Sequence, residues 1–165
     1  MVTENRRAGI VVAGIGNRLG RDDGAGPAAC DALRGLLAAE IAAGRVEVCE
    51  EWGEGARLIT LMEGRETVIF IDAASSGAEP GHVQVFDAGQ QEIPAGLLCY
   101  STHRFGVAEA VEVARNLGMM PGRVVLYAIE GADFGTGEGL SAPVAQAVAE
   151  LCGQISAGFV TESQD

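Results

Sequence analysis

The chain has 165 residues, 48% of them apolar, a mean hydropathy of +0.20 and a formal net charge of −12 in which every basic residue is an arginine. That size and apolar content fit one domain, residues 1–165 with an ordered core at about 8–158, and exclude a disordered chain. No apolar run nears the roughly 20 residues of a membrane span, and the acidity excludes nucleic acid or an anionic membrane as a general electrostatic partner.

Near the amino terminus, Arg6-Arg7 precedes the apolar stretch Ala8–Gly16, like the opening of a twin-arginine signal. The stretch runs straight into Asn17, Arg18, Arg21 and two aspartates, with no small-residue cleavage site. A first β-strand explains it better, and the chain is expected in the cytoplasm. Gly9–Ile15 is a continuous apolar run, as a buried parallel strand requires. Ala25–Ala43, rich in Ala and Leu with Pro27 in its first turn, reads as a helix. Val46–Glu51 reads as a second strand, Gly55–Glu63 as a short helix and Thr67–Ile71 as a third strand, with Asp72 directly after it. His82–Asp87 alternates, as an edge or antiparallel strand does. A loop from Ala88 leads to a helix over Arg104–Leu117, with Ser101 or Thr102 available to cap it. Arg123–Ile129 is another apolar strand, Glu130–Gly139 a glycine-rich acidic loop, and Leu140–Ala157 a last helix opened by Ser141 and Pro143.

Strands alternating with helices imply an α/β fold: a three-layer α/β/α sandwich around a mostly parallel, twisted sheet of about five strands. Ligands of such sheets bind just beyond the carboxyl ends of the strands. The segments to weigh are therefore Asn17–Gly24, Glu51–Gly55, Asp72–Ser76 and Glu130–Gly139.

The first of these belongs to the most informative stretch, Gly14–Gly26. Its Gly-x-Gly opening suggests a dinucleotide fingerprint, and Glu50 or Glu51 mimics the ribose-binding acid. The spacing fails, however, because position 19 is Leu and the third glycine falls at 20. Asp22 and Asp23 would also set two carboxylates where a pyrophosphate needs bare N–H groups. One aspartate of the pair suffices to cap a helix or turn, and adjacent side chains point different ways. Asp22 is assigned to the cap and Asp23 to the cleft.

Asp72 ends an apolar strand, and strands one and three are commonly neighbours, so Asp72 and Asp23 are expected to face each other. Two close carboxylates repel unless a cation, a shared proton or a hydrogen-bond donor relieves them. Of the two histidines, His82 is expected at the surface. His103 stands before a helix, where the dipole disfavours imidazolium and leaves the neutral form that binds metals. Two oxygens and one nitrogen suit a divalent transition metal such as zinc or nickel. The four cysteines, Cys30, Cys49, Cys99 and Cys152, lack zinc spacing and read as small buried residues. No Gly-x-Ser-x-Gly elbow supplies a nucleophile. Asn17, Gly53, Gly55 and Glu130 lie along the same edge and read first as structural residues. Asn17 would orient the loop or an oxyanion, the glycines would admit substrate backbone, and Glu130 would add charge.

Four segments together resemble one family, the hydrogenase maturation endopeptidases. They are G-I-G-N-R-L-G-R-D-D-G-A-G in the first loop, V-I-F-I-D-A-A at the central strand, S-T-H-R-F-G around His103, and I-E-G-A-D-F-G-T-G-E-G-L-S-A-P-V before the last helix. They occur in family order and spacing over nearly the whole chain. The resemblance implies metal ligands, and catalytic residues, at Asp23, Asp72 and His103; many members carry glutamate where this chain has Asp23. It implies an endopeptidase that removes a short C-terminal extension from the precursor of the nickel–iron hydrogenase large subunit after nickel insertion. The nickel is then supplied by the substrate, and another divalent metal such as zinc or cadmium fits the same ligands. Three chemistries stay open: contact with substrate nickel, a metal that activates water, or an aspartate as general base. A non-proteolytic metal-binding chaperone or sensor on the same fold is the alternative.

Overall fold

Strand β1 (Ile10–Ile15) is an inner strand of the sheet, and its Val11, Val12 and Ala13 are fully buried. Burial on both faces is what a central parallel strand demands, and it explains why this stretch is apolar without alternation. The computed structural model describes residues 7–98 and 105–162, of which 160–162 as backbone only. Beside β1 lie β2 (Val46–Glu51), β3 (Thr67–Ala74), β4 (Val83–Asp87) and β5 (Arg123–Glu130). The sheet order is β2-β1-β3-β5-β4, with parallel pairing throughout except for the antiparallel edge strand β4.

The period-two alternation of each strand sorts its side chains onto two helical layers. Val12, Ile71, Ala73 and Ile129 pack against α1 (Ala25–Leu36) and α5 (Ala142–Glu162). Val11, Ala13, Ile15, Val68, Phe70 and Leu126 pack against α3 (Gly55–Met62) and α4 (Val107–Asn116). The result is the three-layer sandwich that the sequence pattern implies. Each buried Val, Leu, Ile or Phe contributes about 1.5–3 kcal/mol, so these two cores carry the fold. Two glycines bring the first layer unusually close. A Cβ on Gly14 would stand 2.2 Å from the Gly26 carbonyl oxygen, and one on Gly26 would stand 2.3 Å from that of Ile15. The start of α1 thus lies flush on β1 and presses the preceding loop onto the edge of the sheet.

Four boundaries differ from expectation. The helix expected over Ala25–Ala43 breaks at Leu37 into α1 and α2 (Ala38–Ala42), because turning the chain there buries Leu37 while Leu36 stays exposed. Strand β3 continues to Ala74, so Asp72 lies within the strand, opposite Ala128 of β5, rather than after it. Helix α4 starts at Val107, where the Gly106 N–H donates to Glu109 Oε2 at 2.9 Å; the Ser101 or Thr102 cap falls outside the described residues. Helix α5 runs five residues past Ala157, to Glu162. Among the described residues, no helix is long and apolar enough to cross a membrane.

Candidate active site at the carboxyl edge of the sheet

The carboxyl ends of β1, β2 and β3 open into a cleft of about 820 Å³. Asp23 and Asp72 both line it, together with Asn17, Gly53, Glu109 and the 134–136 stretch of the loop before α5. Asp72 shares the strand parity of Val68 and Phe70 and so points to the α3/α4 side of the sheet. It is 6% exposed, and its Oδ1 accepts the Ala73 N–H at 2.8 Å. Burial pushes its carboxyl well above the usual value of 3.8; the Ala73 N–H pulls the other way, and the charge of Asp23 adds to the rise. The two carboxylates thus line the same cleft, and the charge of one bears on the other.

Asp23 is held by the loop that precedes it. After β1 the chain turns through Gly16 at φ 140°, where a Cβ would fall 1.9 Å from the Asp23 carbonyl oxygen. The Asn17 N–H then donates to that carbonyl at 3.2 Å and to Asp23 Oδ2 at 3.0 Å. The Asn17 side chain closes the turn by accepting the Leu19 N–H at 2.9 Å, so this residue orients the loop. Burial raises the Asp23 pKa, and the Asn17 N–H offsets part of that rise.

Asp22 has the other role. It is fully buried, and its carboxylate accepts the N–H groups of Ala132, Asp133 and Ser141 at 2.7–2.9 Å and the Ser141 hydroxyl at 2.8 Å. Burial pushes its pKa up, but these donors outweigh it and hold the carboxyl below its ordinary value. The two side chains diverge as expected, with Asp23 in the cleft, but Asp22 caps neither its own turn nor α1: its carboxylate partners all belong to the distant 131–141 loop. Between Gly20 and Asp22, Arg21 adopts φ 55°, a left-handed conformation that costs a side-chain-bearing residue roughly 1–2 kcal/mol. Its N–H on Gly137 O and its guanidinium on Glu138 O, both at 2.9 Å, hold it there.

The other sequence candidates separate clearly. Glu130 is buried, and its carboxylate accepts the Ser76 N–H and hydroxyl and the Gly77 N–H, so it pins the turn after β3 and adds no charge to the cleft. Gly53, at φ 84°, lines the cleft. Gly55 does not admit substrate: a Cβ there would overlap Phe105 at 1.5 Å, and that ring fills the space. Glu50 is engaged by Arg18 and Arg34, and Glu51 by Arg57, so neither is a free ribose ligand. The N–H groups of Gly16, Asn17, Leu19, Gly20, Arg21, Asp22 and Asp23 all donate within the protein, which leaves the loop almost no amide for a pyrophosphate. His82 is exposed at the start of the β4 edge. His103 and Cys99 lie outside the described residues. Among the described residues, no group of three His, Cys, Asp or Glu side chains suited to a metal ion occurs.

Among the lining residues that escaped the sequence reading are two exposed large hydrophobic ones, Trp52, 73% exposed, and Leu19, 57% exposed. A lone aromatic one residue past the carboxyl end of β2 was the available signal for the first. Leu19 gave none beyond its place in a glycine loop.

Comparison with known proteins adds a family to this geometry. A sequence model described as hydrogenase maturation protease matches residues 36–157, a span that includes Asp72 but not Asp23. The chain is 31% identical over 138 residues to the hydrogenase expression/formation protein HupD of Rhizobium leguminosarum, covering 82% of this chain and 66% of that protein. It is 29% identical over 136 residues to HupD of Bradyrhizobium diazoefficiens, covering 81% and 68%. Among solved structures, the hydrogenase maturating endopeptidase HybD from E. coli superposes with a TM-score of 0.73 at 21% identity over 93% of each chain. The maturation protease HycI from Thermococcus kodakarensis gives 0.65 at 20% identity over 94% of each.

Proposed function

The chain belongs to the hydrogenase maturation protease family, and on that premise we propose that it removes the C-terminal extension of a nickel–iron hydrogenase large-subunit precursor after nickel insertion. In this reading Asp23, Asp72 and His103 form the site that meets the nickel, which arrives with the substrate. The observation that carries the reading is the meeting of Asp23 and Asp72 in one cleft at the carboxyl edge of a parallel sheet. Two carboxylates whose pKa values are both raised favour an arriving divalent cation, because the cation relieves their repulsion and their desolvation together. Each has an oxygen that no described residue binds. Zinc or cadmium is expected to occupy the same ligands in vitro. Once ionised, Asp72 is also suited to take a proton from the attacking water, since a raised pKa makes a carboxylate a better base. The reading puts the chain in the cytoplasm, where the free thiols of Cys30, Cys49 and Cys152 are stable.

The test is to incubate the full chain with nickel-loaded large-subunit precursors and weigh the products. Wild type is expected to shorten one precursor by a single C-terminal peptide. Asp23→Asn and Asp72→Asn are expected to slow this by about 100-fold or more while staying folded. Unchanged precursor mass across several nickel-loaded candidates overturns the proposal.

A further inference from the structure

The Asp22 carboxylate accepts from four separate donors, yet it does not line the cleft. Around it two loops are sewn together. The Arg21 N–H donates to Gly137 O at 2.9 Å, the Gly137 N–H to Leu19 O at 2.8 Å, and the Asp22 N–H to Asp133 O at 2.9 Å. The Asp22 carboxylate adds four acceptor contacts to the same loop, three to N–H groups and one to a hydroxyl. Every group aimed at it is a donor, so the position requires an acceptor-only side chain. An asparagine has one oxygen and one NH₂. Placing the NH₂ at Oδ1 opposes the Ser141 N–H, and placing it at Oδ2 opposes the N–H groups of Ala132 and Asp133.

What lies on the two sides of this clasp gives it a purpose beyond stability. The residue after Asp22 is Asp23, within one turn of 3-10 helix, Arg21–Gly24. The loop it grips carries Phe134, Gly135 and Thr136, which line the same cleft as Asp23. We propose that Asp22 is a positioning residue: it couples the 131–141 loop to Asp23, so that the wall of the cleft and its cleft-facing carboxylate are set as one unit. Arg18 braces the opposite flank, where its guanidinium bonds Asp31 of α1 and Glu50 of β2, leaving the turn between two fixed points.

The kinetic arm of the test rests on the peptidase reading; the exchange arm does not. Amide hydrogen exchange is followed by NMR on the full chain in wild type, Asp22→Asn and Arg65→Met. Arg65 is buried at the opposite end of the sheet, bonded to Glu47 and Ala8 O, and its loss serves as a matched destabilisation. In Asp22→Asn, protection is expected to fall at Ala132, Asp133 and Ser141 and also at Asn17, whose N–H reports the seat of Asp23. In Arg65→Met those four amides keep their protection relative to the rest of the chain. Loss at 132, 133 and 141 with Asn17 unchanged means that Asp22 only pins the second loop, and overturns the proposal. With precursor as substrate, Asp22→Asn is expected to lower kcat by about 10- to 100-fold with KM little changed. A kcat equal to that of Arg65→Met overturns the proposal as well. Should Asp22→Asn fail to fold, Ser141→Ala removes one donor only and is expected to move Asn17 exchange in the same direction by a smaller factor. No change there is equally fatal. Absence of cleavage by wild type defeats the function proposed above and leaves the exchange result standing.

Discussion

Asp72 and Asp23 reach one cleft from different elements, a central strand and the turn before α1, and the charge of Asp23 adds to the burial that raises the Asp72 pKa. A carboxyl whose folded pKa is raised contributes stability that is fully present below the unfolded value of 3.8 and is lost as pH rises through the folded value. Above the unfolded value the raised pKa is therefore a burden on the fold, at about 1.4 kcal/mol for each unit of displacement. Asp72→Asn removes that burden. It is expected to melt higher than wild type at pH 7, by about 2–4 °C per kcal/mol in a chain of this size, with the difference closing near pH 3.5. Melting curves from pH 3.5 to 8 check this, and equal midpoints at pH 7 and pH 3.5 would contradict the assigned pKa shift. The same variant is expected to be inactive, separating stability from function at one position.

Trp52 is the chain's single tryptophan, and it stands 73% exposed on the wall of the cleft. An indole so placed emits as a solvated fluorophore, and covering it moves the emission to shorter wavelength. Addition of the precursor of the proposed reaction is expected to shift and sharpen the Trp52 emission, whereas a precursor already trimmed has less effect. Trp52→Phe is expected to leave melting unchanged within about 0.5 kcal/mol, as an exposed substitution does. An emission spectrum indifferent to a precursor that the enzyme cleaves would place substrate elsewhere.

Much of this architecture was legible in the residues because the governing signals are local. Continuous apolar runs such as Val11–Ala13 and Val68–Ile71 mark strands buried on both faces, and the alternation of Val83–Asp87 marks the edge strand. That Asp22 and Asp23 point different ways followed from adjacency alone; that Asp22 grips a distant loop rather than capping its own turn did not. What stayed hidden depends on contacts between segments far apart in sequence. The ladder from Asp72 to Ala74 extends β3 only because β5 lies alongside as far as Glu130. Gly55 is small to admit Phe105, fifty residues away, and no local pattern distinguishes that from room for a substrate. Glu130 looked free because its donors, Ser76 and Gly77, come from another turn.

The glycines divide into two classes with opposite expected outcomes. Gly26→Ala sets a methyl 2.3 Å from the Ile15 carbonyl and 2.6 Å from that of Ile71, both backbone atoms that cannot swing aside. Helix α1 must lift from the sheet, and a loss of about 3 kcal/mol is expected, at the upper end of overpacking costs. Gly153 lies within α5, exposed, with nothing within 4 Å of an added Cβ. Gly153→Ala is expected to stabilise the fold by about 0.5–1 kcal/mol, the helix-interior advantage of alanine. Urea denaturation of both variants measures the difference, and a stable Gly26→Ala would refute the close seating of α1.

The remaining acid–base prediction concerns the thiols and bears on whether a cysteine serves as nucleophile. Burial pushes Cys30 up to about 11 and Cys152 up to about 11. Cys49 rises to about 12, from burial first and then from the charges of Glu51 and Glu47. Cys30 Sγ donates to the Cys49 carbonyl at 3.1 Å, and Cys152 Sγ to that of Ala29 at 3.6 Å, so both thiols are committed as donors. Only the thiolate attacks an electrophile, and at pH 8 each of these groups holds about one part in a thousand or less in that form, against roughly a quarter for a free cysteine of pKa 8.5. Native protein treated with iodoacetamide at pH 8 is therefore expected to leave residues 30, 49 and 152 unmodified on the timescale that labels a free peptide thiol, and to label all three in denaturant. Peptide mapping resolves them individually. Rapid native alkylation at Cys49, the least buried of the three, accompanied by loss of cleavage, would reopen nucleophilic catalysis and demote the carboxylates to a supporting role.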